Sequence, residues 1–427
     1  MSITAPTSEV APEAEFTDAR PRLVDIARGF EEKILAAEDY LETERRMPQE
    51  LADELYDAGI FRALMPREIG GLEVHPVEWL EAIEELSRIN GSVGWLGMLH
   101  SGGTFAAPEA MRKILEKDRW ITAGNLGRAA GRAVRVPGGY RVTGKWPFCS
   151  GSPEATWLYG RSILYTEDGE QVVSPVDGNP WYLVGYFPRS EVTLHDTWDG
   201  LGLRGTGSGH IEVKDVFIPR ELANEKGIHF RQYDRPLFRV GFNVMAHAAH
   251  SLGLAKAAME EYTKLVHQSA QHGSLRQARL GREQVDQLAI GEADALVRAA
   301  RLFAWNATEE AYENAHHQAP IEYELRVRLH EANAFAVHSA KKAVDLIFAR
   351  AGSPAVFRGS RLERIYRDIS VAAQHTLVSH ASLDRVGQFL LTKDMEGGPQ
   401  IDTTGTGHIQ GPHPQFAAAR LPKLPEH

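Results

Sequence analysis

The stretch Trp146-Pro-Phe148-Cys149-Ser150-Gly151 closes an alternating run with two aromatics, a hydroxyl and a glycine. Those residue types cup a flat ring and address one atom of it. The competing reading is packing, because Trp and Phe at a strand end serve more often as core. Gly200-Leu-Gly202-Leu-Arg204-Gly205 has the letters of a dinucleotide fingerprint, whose glycines must follow a strand and open a helix. Here they run into His210-Ile-Glu-Val-Lys-Asp-Val-Phe-Ile, which is a strand pattern. The corner therefore reads as an inter-strand loop in which Arg204, Thr206 and Ser208 offer donors to an anion or a ring edge. Ser150 lacks the G-x-S-x-G context of a nucleophile elbow. Cys149 alternates to the opposite face from Ser150 and reads as a small buried hydrophobe.

Histidine is the second chemical resource, since imidazole alone titrates near neutrality. His247 and His250, and the adjacent His316-His317, lack the carboxylate of H-E-x-x-H and a nearby third ligand, so no zinc site is expected. The helices also lack the paired Glu-x-x-His motifs of a di-iron bundle. His375, in Tyr366-Arg367-Asp368-Ile-Ser-Val-Ala-Ala-Gln374-His375, reads as helical.

The elements that must hold these residues fall into three blocks. Residues 1–16 are rich in Thr, Ser, Pro, Ala and Glu, without the basic and apolar regions of a secretory signal, and read as a loose tail. From 17 to 118 the pattern is helical, with Leu23, Ile26, Phe30, Ile34 and Leu41 on one face and Gly59 and Gly70-Gly71 as punctuation. From 119 to 226 it is all-β. Arg132 to Trp146 forms two alternating runs around Pro137-Gly138-Gly139, a hairpin signal, and further strands read at Trp157–Tyr165, Trp181–Phe187, Glu191–Asp196 and His210–Ile218. Their spacing suits a small barrel or sandwich without helical crossovers. From 227 to 395 the helical period returns in four long segments, which pack most naturally as a four-helix bundle. Residues 396–427 read as an extended arm.

Composition narrows the partners. The 47 Lys and Arg against 57 Asp and Glu leave a net charge of −10, which disfavours nucleic acid and anionic membrane. A single cysteine excludes an internal disulfide framework and points to the cytosol. No run approaches the roughly 18 apolar residues of a membrane helix.

Helical first third, β middle and four-helix end, with Arg46-Met-Pro48, Gly59-Ile-Phe61, Met65-Pro66, Gly70-Gly71 and Tyr366-Arg367-Asp368 in that order, resembles the acyl-CoA dehydrogenase fold. Dehydrogenases of that fold take a proton with a glutamate beyond the arginine–aspartate pair. Here Val371-Ala-Ala-Gln374-His375-Thr376 offers no carboxylate. The chain is instead similar to the flavin-dependent monooxygenase branch, the oxygenase half of two-component systems. Three features carry that likeness: Gly144-Lys-Trp146-Pro-Phe148-Cys-Ser150-Gly151, Trp198 through Arg204, Thr206 and Ser208, and Arg364-Ile-Tyr-Arg367-Asp368 with His375 beyond it.

The resemblance implies a reduced flavin, FMN or FAD, supplied by a separate NAD(P)H-dependent reductase. With dioxygen as co-substrate, a flavin hydroperoxide then hydroxylates an aromatic molecule. S- or N-oxygenation in the same branch, an oxidase or dehydrogenase use of flavin, and a non-catalytic scaffold are the alternatives; Ala372 stands where some sulfur-oxidising relatives carry a histidine. His375 and Ser150 would stand beside the flavin, and His100, in Trp95-Leu-Gly-Met-Leu-His100, would take a proton from the substrate. Asn125, Phe148, Trp198, Arg204, Thr206 and Ser208 are candidate flavin contacts. Arg279, or Arg276, would reach the phosphate of a neighbouring subunit's flavin in a homotetramer. A lid is expected at 168–181 or 230–242.

Overall fold

The computed structural model describes residues 20–101, 108–173, 178–225, 235–240, 245–269, 281–317 and 322–392. The expected tail, the arm, Arg276 and Arg279 lie outside these residues, as do parts of both expected lids. Three layers follow one another along the chain. The first is helical: α1 (Leu23–Gly29), α2 (Glu31–Ala36), α3 (Glu38–Thr43), α4 (Gln49–Asp57), α5 (Pro76–Ile89), α6 (Gly91–His100) and α7 (Pro108–Leu115). The apolar face from Leu23 to Leu41 is carried by three short helices, with Phe30 and Ala37 at the joints still in the right-handed helical region.

The middle layer is one sheet, β1 (Thr122–Asn125), β2 (Gly131–Val136), β3 (Gly139–Trp146), β4 (Trp157–Tyr165), β5 (Tyr182–Pro188), β6 (Thr193–His195), β7 (His210–Pro219) and β8 (Ala223–Glu225). Its order is β6-β7-β3-β2-β4-β5-β8, with β1 also on β4. The hairpin forms as its turn residues dictate: Val136 pairs with Gly139, and Gly138 takes the positive φ (82°) that the two-residue loop needs. Two pairings are parallel, β1 and β2 both lying on β4, and are made without any helical crossover. The sheet curls on itself. Ile218 of β7 comes within contact of Gly185 of β5, and the Trp146 ring packs 5.9 Å from Phe187. Trp146, fully buried, is therefore core, with its indole N–H donating to the Arg161 carbonyl at 2.7 Å. Cys149 is buried beside it. Its Sγ lies 3.5 Å from the Trp146 carbonyl, and burial pushes the thiol up to about 12.

The last layer holds the short α8 (Pro236–Arg239), then α9 (Ala246–Ser269), α10 (Gln284–His317), α11 (Tyr323–Ala351), α12 (Arg361–Ala372) and α13 (His380–Thr392). The fourth bundle segment is thus broken, and His375 corrects its helical reading. It stands between α12 and a short 3-10 turn at Thr376–Val378, in extended conformation (φ −65°, ψ 137°), and caps that turn with its own ring. Among the described residues no helix is long and apolar enough to cross a membrane.

The start of the corner after β6 is tied to α12 of the last layer. The buried Asp368 carboxylate on α12 accepts the Leu203 amide at 2.6 Å, and Gly202 lies against the Arg367 carbonyl so closely that a Cβ would sit 2.4 Å from it. Burial raises Asp368 to about 7. Between about pH 4 and 7 the folded chain then keeps a proton that the unfolded chain has released, so this group's contribution to stability falls as pH rises through that window. Asp368→Asn keeps an oxygen for Leu203 and removes the titration. It is expected to match the wild type near pH 4 and to exceed it at pH 8 by about 2–4 kcal/mol in urea unfolding. A wild-type curve parallel to the variant's across that range would refute the assignment.

Candidate active site

The site is assembled around α6. Asn90 caps it by accepting the Ser92 and Val93 amides, and Gly94 lets α5 approach so tightly that a Cβ there would meet Ser87 Oγ at 2.0 Å. The helix is buried almost throughout, so the side chains it carries have little freedom. Trp95 is the hub. Its indole N–H donates to Ser150 Oγ at 3.2 Å, and its ring meets His247 and His250 at 5.2 Å and His375 at 5.7 Å between centroids. Ser150, His375 and the glycine corner, more than 160 residues apart in places, thereby converge. Ser150 Oγ lies 2.7 Å from Ser208 Oγ, Ser208 lies 2.6 Å from Thr206 Oγ1, and Thr206 donates to the Leu203 carbonyl at 2.8 Å.

The imidazoles are neutral at pH 7. Burial lowers His375 to about 4 and His250 to about 4, and drives His247 well below its ordinary value, where the neighbouring His375 adds to the effect. His247 and His375 stack at 4.3 Å. His250 Nε2 donates to the Gly91 carbonyl at 2.9 Å. The Leu377 amide points at His375 Nδ1 at 3.4 Å, which leaves the ring proton on Nε2. His375 is consequently a neutral donor. His100 stands on the other side of the Ser150-Gly151 segment, 1% exposed at the end of α6. Its Nδ1 donates to the Thr122 carbonyl at 2.9 Å, and its Nε2 lies 3.6 Å from Glu154 Oε1, with no hydrogen bond to either atom within the protein. Gly151 makes that approach possible: it has φ +78°, and a Cβ would fall 2.3 Å from His100 Cε1.

The remaining sequence candidates divide. Phe148 is 65% exposed, held at φ 56°, and meets Trp198 and His210 edge-on at 6.5 Å, forming an open aromatic shelf beside Ser150. Trp198 donates its indole N–H to the Leu203 carbonyl at 2.9 Å. Asn125 braces the approach to Phe148 by donating to the Pro147 carbonyl at 2.7 Å. Thr206 and Ser208 face each other inside the hydroxyl chain. Arg204 is committed elsewhere, to the Glu42 carbonyl at 3.1 Å and the Asp199 carboxylate at 2.7 Å. Among the described residues no group of three His, Cys, Asp or Glu side chains could hold a metal ion. Trp95, His247, Glu154 and Asp368 join the site without having been singled out for it. The signal in the sequence is the i, i+3 pair His247 and His250, which lacks the further ligands of a metal site and packs around the Trp95 indole.

A family model for the acyl-CoA dehydrogenase N-terminal domain matches residues 17–116, and one for the C-terminal domain matches 245–380. Together they span more than half of the chain, which belongs to the acyl-CoA dehydrogenase family; its relatives include oxygenase components of flavin-dependent monooxygenases. Indole-3-acetate monooxygenase of Pseudomonas putida is 26% identical over 82% of this chain and 88% of its own. The oxygenase subunit HsaA of Mycobacterium tuberculosis, a flavin-dependent monooxygenase, is 28% identical over 78% and 85%. In fold, the crystal structure of XiaF from Streptomyces sp. in complex with FADH2 and glycerol superposes with a TM-score of 0.76 at 23% identity, covering 86% of this chain and 94% of XiaF.

The neutral imidazoles have a consequence for stability. From about pH 6.5 down to 4 the unfolded chain binds protons that the folded chain refuses, so their contribution is complete above that window and is lost on acidification. His375→Asn is expected to shrink the wild-type loss between pH 7.5 and pH 5 by about 2 kcal/mol in urea unfolding. An unchanged loss would mean that His375 titrates normally.

Proposed function

We propose that the chain is an oxygenase that binds reduced flavin, FAD or FMN, and uses dioxygen to hydroxylate a phenolic or heteroaromatic small molecule. The observation that carries this reading is the convergence on Trp95 of a buried hydroxyl chain and a neutral donor imidazole, next to the Phe148 and Trp198 shelf. These residues fit a flat ring with a polar edge: Ser150 Oγ has room for one more hydrogen bond, the shelf offers aromatic faces, and His375 holds a proton on Nε2. Bound reduced flavin supplies the two electrons that activate dioxygen.

The protein's own residues do the rest. The buried Trp95, His247 and His250 exclude water from one side of the site, which protects reactive species from side reactions. His375, neutral at rest, donates a hydrogen bond from Nε2 where negative charge develops on oxygen. His100, with Glu154 beside it, handles the proton at the substrate. A separate reductase supplies the flavin, and the exposed Leu288, Leu302 and Phe335 on α10 and α11 support self-association into a homotetramer.

The test combines anaerobic titration with reduced FAD and FMN and oxygen-consumption assays over a panel of phenols and indoles. Reduced flavin is expected to bind, and an accepted aromatic to lower the hydrogen peroxide released per oxygen consumed. In His375→Ala and His100→Ala that peroxide fraction should rise severalfold, since a positioned acid or base typically contributes about 10²–10⁴ in rate. Failure to bind reduced flavin, or peroxide release unchanged in both variants, would defeat the assignment.

A further inference from the structure

The hydroxyl chain behind Ser150 can carry its protons in only one direction. Trp95 Nε1 can only donate, and the Leu203 carbonyl at the far end can only accept. Each hydroxyl between them has one proton. Thr206 commits its proton to Leu203, so Ser208 must donate to Thr206 across 2.6 Å, and Ser150 must donate to Ser208 across 2.7 Å. Ser150 Oγ is left with a lone pair and no free proton. The three hydroxyl residues are 8%, 6% and 0% exposed at Ser150, Ser208 and Thr206, so bulk water does not relieve the constraint.

We infer that Thr206 and Ser208 are positioning residues that make Ser150 an acceptor-only contact, and thereby make the site select the reduced over the oxidised form of its flavin. This rests on the flavin reading above. Reduction of an isoalloxazine turns its N5 from a bare acceptor into an N–H donor. With that edge of the ring against Ser150, an acceptor-only serine would gain a bond from the reduced ring and would face the oxidised one lone pair to lone pair. Turning the Ser150 proton towards the oxidised ring would leave two acceptors opposed at 2.7 Å inside the protein, at the cost of a buried hydrogen bond. Thr206 sets this preference without touching the ring. An oxygenase that must take reduced flavin and release oxidised flavin on every cycle gains directionality from it.

The experiment measures dissociation constants of oxidised and dithionite-reduced FAD and FMN, anaerobically, for the wild type, Thr206→Val, Thr206→Ser and Ser208→Ala, each checked for folding by thermal unfolding. The wild type is expected to hold reduced flavin more tightly. In Thr206→Val and Ser208→Ala the Ser150 proton is released, and the oxidised-to-reduced ratio should fall roughly tenfold, the equivalent of one neutral hydrogen bond. Thr206→Ser should restore it. If Thr206→Val does not fold, Ser208→Ala carries the comparison. A wild type that binds reduced flavin while the ratio stays unchanged in the folded variants overturns the inference alone. A wild type that binds neither form overturns the flavin reading with it.

Discussion

The hydrogen bond from the Leu203 amide to Asp368 is the contact on which the site depends. It is buried, it joins α12 to the corner between β6 and β7, and it holds Leu203 in a left-handed conformation (φ 51°) that a leucine adopts only under constraint. The carbonyl of that same residue receives both the Trp198 indole N–H and the Thr206 hydroxyl. Position and polarity of the groups that face a ligand are therefore set from a helix that comes more than 160 residues later in the chain. The close approach of Gly202 to the Arg367 backbone adds a steric lock to the electrostatic one.

Helix α6 supplies the complementary half. Its buried, glycine-rich surface lets α5 and α9 close over it, and the two side chains it sends toward the β-layer, Trp95 and His100, bracket the Ser150-Gly151 segment from two sides. The imidazoles of His247, His250 and His375, packed around Trp95, cannot be charged without losing hydration, and their neutrality follows from where they are packed. A donor that is neutral at rest does not attract a counter-ion into the site.

The three-layer order was legible because each layer writes its period into the sequence: 3.6 residues in the helices, two in the strands, and Pro-Gly-Gly at the hairpin turn. The strand limits at β4 and β7 were close for the same reason. His375 was misread because the helical pattern of Arg361–Ala372 runs on through Gln374, and nothing in the letters announces that an imidazole will cap the next turn in place of the usual Ser, Thr, Asp or Asn. The parallel pairing of β1 and β2 on β4 leaves no local mark at all. Ser150, Thr206 and Ser208 were found as polar residues in glycine-rich corners, but their common hydrogen-bond chain needs Trp95, which local spacing presents as one more apolar residue of a helix. Arg204 shows the converse limit: a basic residue beside a glycine corner looks like an anion contact until Glu42, from a distant helix, takes it up.

For a protein proposed to activate dioxygen, the placement of Cys149 bears on how it meets oxidants. Thiols are oxidised through the thiolate. The chain has one cysteine, sealed in the β-layer and held protonated up to about 12. The described protein thus presents no thiolate to stray peroxide and no surface sulfur for mixed disulfides with other proteins. Its one thiol is thereby shielded from the thiol redox state of its surroundings.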